Sequence, residues 1–137
     1  MIKSFKLIIC LMFICIFLCG CSNKDETGIL FNREPISQMT VKNCSRDFEV
    51  DKPIYYLFYS PDKISTEFIR VQVIKVGDKI PRGGYKIIWT NEYRVMKQNV
   101  FYYHNYFVLH SAGTYMMQIF SMDDLINPLA KNFFYVH

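Results

Sequence analysis

From Ile36 onward the apolar side chains follow a period of two, which suits strands and leaves little room for helices. In 68–76, Ile69, Val71 and Val73 point one way and Arg70 and Gln72 the other, before Gly77-Asp78 ends the run. Tyr85, Ile87 and Trp89 alternate with Lys86, Ile88 and Thr90, and Tyr115, Met117 and Ile119 with Thr114, Met116 and Gln118. Phe101, Tyr103, Phe107 and Leu109 share one face of their run, and Phe134 and Val136 share one face of the last. Residues 54–59 form a solid aromatic and aliphatic run between Pro53 and Ser60-Pro61-Asp62. Short β-branched and aromatic runs divided by Gly, Pro, Asn and Asp predict an antiparallel all-β domain. The best helical candidate, 122–129, has Asp123 as a cap and Pro128 as a stop, room for one turn.

The amino terminus is of a different kind. Lys3 and Lys6 precede an apolar run from Leu7 to Leu18, and the chain turns polar at Ser22. A basic start, a short apolar run and a small residue before the break read as a secretory signal helix over 1–20. A spanning helix needs roughly 20 residues, more than this run supplies. Leu18-Cys19-Gly20-Cys21 resembles the lipobox of bacterial lipoproteins, which implies that Cys21 is lipidated and becomes the first mature residue. The membrane, reached through that lipid, is then the first expected partner. Ser22 after the cysteine resembles lipoproteins sorted to the outer membrane, where the organism has one; otherwise the outer face of the cytoplasmic membrane is expected. Residues 21–35, polar and holding Gly28 and Pro35, read as the lipidated cysteine and a flexible tether, and 36–137 as one folded domain.

Counting 36–41 and 48–50 as a split first strand gives seven or eight strands in about 100 residues, the arithmetic of an immunoglobulin-like sandwich. Ala112-Gly113-Thr114-Tyr115, followed by Met117, resembles the tyrosine corner of such domains, with Met117 where antibody domains carry a cysteine. Trp89 comes later than the tryptophan of antibody domains. The resemblance is to disulfide-free bacterial immunoglobulin-like domains, and the fold expected is an antiparallel β-sandwich.

Composition excludes several functions. Without Lys3 and Lys6 the chain has fourteen Lys and Arg against twelve Asp and Glu, too even and too dispersed for a nucleic-acid surface. Cys10, Cys15 and Cys19 leave with the signal, so only Cys44 remains in the domain, expected to pack as a small apolar side chain. No serine sits in a glycine-flanked elbow beside a base, and Asp123-Asp124 reads as a solvated cap, so no catalytic residue is assigned. His104 and His110, on one strand face, stand about 20 Å apart and cannot share a metal ion. No metal or other cofactor is expected. Arg82-Gly83-Gly84 lies between strands and reads as a turn.

The aromatics remain. Tyr55 and Tyr59 lie opposite Ile54, Tyr56 and Phe58, and Tyr102 and Tyr106 lie opposite Phe101 and Phe107. In each strand one row is inside and the other out. Exposed tyrosines side by side would make a platform for an envelope protein or a glycan. The expected function is a non-enzymatic binding or assembly module held at the membrane. The alternative is an inhibitor of a protease or lysozyme acting through an end loop, with 78–84 and 90–99 as the candidates.

Overall fold

Alternation along these runs lets each strand bury one face, and two such sheets close on each other. The computed structural model describes residues 27–77, 84–95, 97 and 101–137; the lipobox residues Leu18, Cys19, Gly20 and Cys21 lie outside them. The described residues form strands β1 (Gly28–Asn32), β2 (Asp47–Phe48), β3 (Pro53–Tyr59), β4 (Phe68–Val76), β5 (Tyr85–Arg94), β6 (Tyr102–Val108), β7 (Gly113–Ser121) and β8 (Ala130–Val136). They make a three-stranded sheet in the order β1-β3-β6 and a five-stranded sheet in the order β2-β8-β7-β4-β5. The all-β sandwich is therefore the architecture.

Its core joins aliphatic side chains to a cluster of aromatic rings. Phe134 has no exposed surface. It meets Phe31 and Phe107 of the smaller sheet at ring-centroid distances of 4.7 and 5.7 Å, and Phe48 and Tyr115 of its own sheet at 6.1 and 5.6 Å. Ile54, Tyr56 and Phe58 from β3 face Ile69, Val71, Val73, Met117 and Ile119 across the sandwich, all buried. Asn132 Nδ2 donates to the Ile29 carbonyl at 2.8 Å and ties β8 to β1. At one end Tyr115 Oη donates to the Ser111 carbonyl at 2.7 Å, and Lys75 Nζ lies 5.4 Å from the Tyr115 ring centroid and donates to the Ala112 carbonyl.

Six expectations change. Residues 28–32, read as tether, are β1: Ile29 and Phe31 are buried against the core, so the domain begins before residue 36. Three apolar residues between polar neighbours are too few to show a period. Residues 36–41 form turns leading into a short 3-10 segment, Val41–Asn43, because Asn32 Nδ2 and the Ser37 and Thr40 hydroxyls take up the backbone groups there. Strand β2 pairs with β8 in parallel, unlike every other neighbouring pair among the described strands, since the chain crosses to the second sheet after β1. Phe101 precedes β6 and is 51% exposed, so it is not core, whereas Phe107 and Leu109 are buried. Cys44 is exposed, its thiol donating to the Val41 carbonyl at 3.0 Å, because the turn carries it outside the sandwich. Residues 122–129 form a turn without a helix, fixed by the Asp124 carboxylate, which accepts from the Ile126 and Asn127 amides and from Asn127 Nδ2.

Along the seam where β5 meets β6, Trp89 stacks on Phe107 at 5.7 Å and Tyr93 on Tyr103 at 4.8 Å. Tyr56 lies beneath this seam, and its hydroxyl has no hydrogen-bond partner among the described residues. Burial, then the nearby phenols of Tyr93 and Tyr103, pushes its pKa well above the usual tyrosine range. Burial also pushes Tyr103 up to about 12, against the Asn105 amide that donates to its oxygen. Both phenols hold their protons to higher pH in the folded chain than in the unfolded chain, where tyrosine ionises near pH 10. Their contribution is present below pH 10 and is lost as pH rises through 10 towards 12. Chemical unfolding followed at fixed temperature should show stability falling with each step above pH 10. Tyr103→Phe should flatten part of that fall.

Candidate functional site

The register of β1, β3 and β6 builds the outer face of the smaller sheet row by row. Gly28, Tyr59 and Tyr102 make one row, Leu30, Leu57 and His104 the next, and Asn32, Tyr55 and Tyr106 the third. Because β3 buries Ile54, Tyr56 and Phe58, its period of two turns Tyr55 and Tyr59 outward. In β6, burial of Phe107 turns Tyr102, His104 and Tyr106 outward in the same way. Tyr102 and Tyr106 are 44% and 57% exposed, Tyr59 is exposed at its margin, and Tyr55 is half-buried. All four predicted tyrosines thus share one face.

The rings are in contact. Tyr55 and Tyr106 pair across the strands at 5.6 Å between centroids, and Tyr102 lies nearly parallel to His104 at 6.2 Å. Tyr59 lies over Gly28, where an added Cβ would stand 2.5 Å from the Tyr59 hydroxyl. Glycine at that position lets the ring lie flat against the strand. At the far end of the face, Pro35, Ile36, Tyr55, His104, Asn105 and Tyr106 border an open cleft of about 240 Å³. The Asn105 side chain donates to Tyr103 Oη and accepts from the Tyr106 amide, which steadies the strand under the cleft.

Such a surface binds by contact area and by phenol and imidazole hydrogen bonds. Tyrosine carries large area at small conformational cost, which suits it to recognition of proteins and sugars. His104 belongs to this face by its spacing of two from both Tyr102 and Tyr106. That spacing, applied to the tyrosines, would have found it. Pro35 and Ile36 are brought in by a turn and carry no periodic signal.

The remaining candidates separate. His104 and His110 do not meet; His110 lies past β6, and its Nδ1 is 2.6 Å from Asp51 Oδ1 at the surface. Among the described residues no three His, Cys, Asp or Glu side chains gather as a metal site. Thr90 to Arg94, placed in an end loop, belong to β5, held by pairing with Phe68 to Gln72. Their polar outer row, with Arg70 Nη2 donating to Glu92 Oε1 at 2.6 Å, hid the strand. Residues 78–83, most of the other loop, lie outside the described residues; Gly84, at φ +75°, accepts from the Gly77 amide and closes the β4–β5 hairpin.

No family model matches the chain, and no curated protein matches it. Among solved structures, a crystal structure of beta-glucosidase from Listeria innocua in complex with gluconolactone is similar at a TM-score of 0.41 and 7% identity. That similarity covers 80% of this chain and 16% of the enzyme's chain.

Proposed function

We propose that the protein is a bacterial envelope lipoprotein, anchored through a lipid on Cys21, whose sandwich is a non-enzymatic binding module. Its working surface is the tyrosine face, Tyr55, Tyr59, Tyr102 and Tyr106 with His104. The observation that carries this reading is the exposure of Tyr102 and Tyr106 on one face of the smaller sheet, with Tyr106 at a cleft, while Ile54, Tyr56, Phe58 and Phe107 on its other face are buried. Exposed aromatic side chains in a row are what a protein or glycan ligand uses. The anchor is supported by Leu18-Cys19-Gly20-Cys21 behind the basic and apolar leader.

The sandwich is proposed to be immunoglobulin-like. Its first segment is split between the two sheets, its sixth strand is at the edge of the smaller one, and Tyr115 bonds back to the backbone four residues upstream. Fold alone assigns no activity. The module is read as non-enzymatic because the face offers aromatic area and no nucleophile paired with a base.

Cys21→Ser tests the anchor. The variant should accumulate as an unprocessed precursor and take up no fatty-acid analogue. Normal processing with release of a soluble protein would contradict the lipid anchor. A soluble domain for binding work has to begin before Gly28, since a start at residue 32 removes Ile29 and Phe31 from the core.

A further inference from the structure

The anchor fixes which end of the sandwich is close to the membrane. Strand β1 starts at Gly28, and Thr27 Oγ1 lies 3.4 Å from Ser60 Oγ at the end of β3. Thr27, Ser60, Ser121 and Leu129 border one hollow of about 230 Å³, so the chain enters beside the β7–β8 turn. From Cys21 to Thr27 there are six Cα steps, a reach of roughly 20 Å at full stretch. An acyl chain on Cys21 therefore holds this end within a few residues' length of the bilayer.

That end exposes several apolar side chains among its charged ones. Ile126 is 87% exposed at the tip of the turn, flanked by Leu125 and Leu129, which are also exposed. Phe101 and Phe68 are exposed on the neighbouring strand starts, where the Ser60 amide donates to Phe101 O and the Met122 amide to Phe68 O. The Asp124 carboxylate is occupied within the turn, first by the Asn127 side-chain amide and then by the Asn127 and Ile126 backbone amides, which hold its pKa below the usual carboxylate range. Glu67 and Arg94 neutralise each other at 2.9 Å. Among the described residues at this end Asp62, Glu67, Asp123 and Asp124 stand against Lys63, Arg94 and Lys97, so attraction to anionic lipid is weak and apolar contact has to carry the seating.

We propose that the end carrying Leu125, Ile126, Leu129 and Phe101 seats in the surface of the bilayer that holds the Cys21 lipid. The partner is the lipid interface, where apolar side chains enter about 5–10 Å. This rests on the anchored reading above. With that end down, β6 rises from the membrane, and Tyr106 stands about 13 Å along the strand from Tyr102. The tyrosine face then looks sideways along the bilayer.

The test uses the full chain, processed in cells and reconstituted into vesicles of phosphatidylethanolamine and phosphatidylglycerol with brominated acyl chains. Ile126→Trp and Met39→Trp are compared with the parent, whose one tryptophan is Trp89. Met39 is equally exposed but lies in the turns beyond the other end of β1. Fluorescence of Ile126→Trp should be quenched several-fold more than that of Met39→Trp, and raised salt should not reverse it. With native side chains, amide exchange over 122–129 should slow several-fold in the reconstituted chain relative to a chain begun at Ser22, which carries neither leader nor lipid. Equal quenching of the two variants, or unchanged exchange, in a preparation whose Cys21 is shown by mass to carry lipid overturns the seating and leaves the anchor standing. A Cys21 without lipid overturns both.

Discussion

Phe134→Ala is expected to cost about 3–5 kcal/mol, the range for removing a buried aromatic ring. The ring has no exposed surface and touches Phe31, Phe107, Phe48 and Tyr115, two from each sheet, so no single neighbour can move in to fill the space. A domain of this size has a total stability of about 5–15 kcal/mol. Each kcal/mol lowers Tm by about 4–8 °C in domains near 100 residues, so melting should fall by well over 10 °C or the domain should not fold. Phe133→Ala is the internal comparison: its ring is 42% exposed on the outer side of β8. It should lose no more than about 1 kcal/mol. Equal losses at the two positions would mean that the sheets do not meet at Phe134.

The second large effect is on binding. Tyr102→Ala with Tyr106→Ala removes the two most exposed tyrosine rings of the face. Each change should stay within about 0.5 kcal/mol of stability, rising towards 1 where cross-strand contact with Tyr55 or Tyr59 is lost. Phe107→Ala, on the other side of the same strand, should lose about 3–5 kcal/mol. Capture of the partner by the double variant should fall at least tenfold, since central aromatic side chains carry about 2 kcal/mol or more each in recognition surfaces. A variant that melts like the parent and still binds like it would remove the platform. One that melts like Phe107→Ala would show that both faces of β6 are buried.

Long alternating runs were legible because burial on one side leaves a period that survives polar interruptions. Residues 68–76, 113–121 and 130–136 fold as their alternation indicates, the solid run at 53–59 is a strand as well, and Ala112-Gly113-Thr114-Tyr115 marks the bonded corner. Strand β1 was hidden because Ile29-Leu30-Phe31 is short and apolar on both faces, and only pairing with β3 shows that Leu30 is the outward one. Strand β2 has two residues and owes its place to β8. The end of β5 was hidden for the opposite reason: Thr90, Asn91, Glu92 and Arg94 are polar on both sides, with Tyr93 the single anchor packed on Tyr103. At the candidate site, spacing placed the tyrosines in two rows but gave no choice between them, since both rows of β3 are aromatic. Packing makes the choice, because the row of Ile54, Tyr56 and Phe58 meets β4 and β7. The cleft wall at Pro35 and Ile36 depends on the turn held by Asn32, whose amide bonds the Thr40 carbonyl, a link no local pattern announces.

Site-specific photocrosslinking of the protein in intact cells tests the proposed binding face most directly. A photoreactive side chain in place of Tyr102 or Tyr106 should give a discrete adduct. The same group in place of Gln118 or Lys131, on the outer face of the larger sheet, should give none. Adducts of equal yield from both faces, or from Gln118 and Lys131 alone, would contradict the assignment of the tyrosine face as the surface that binds.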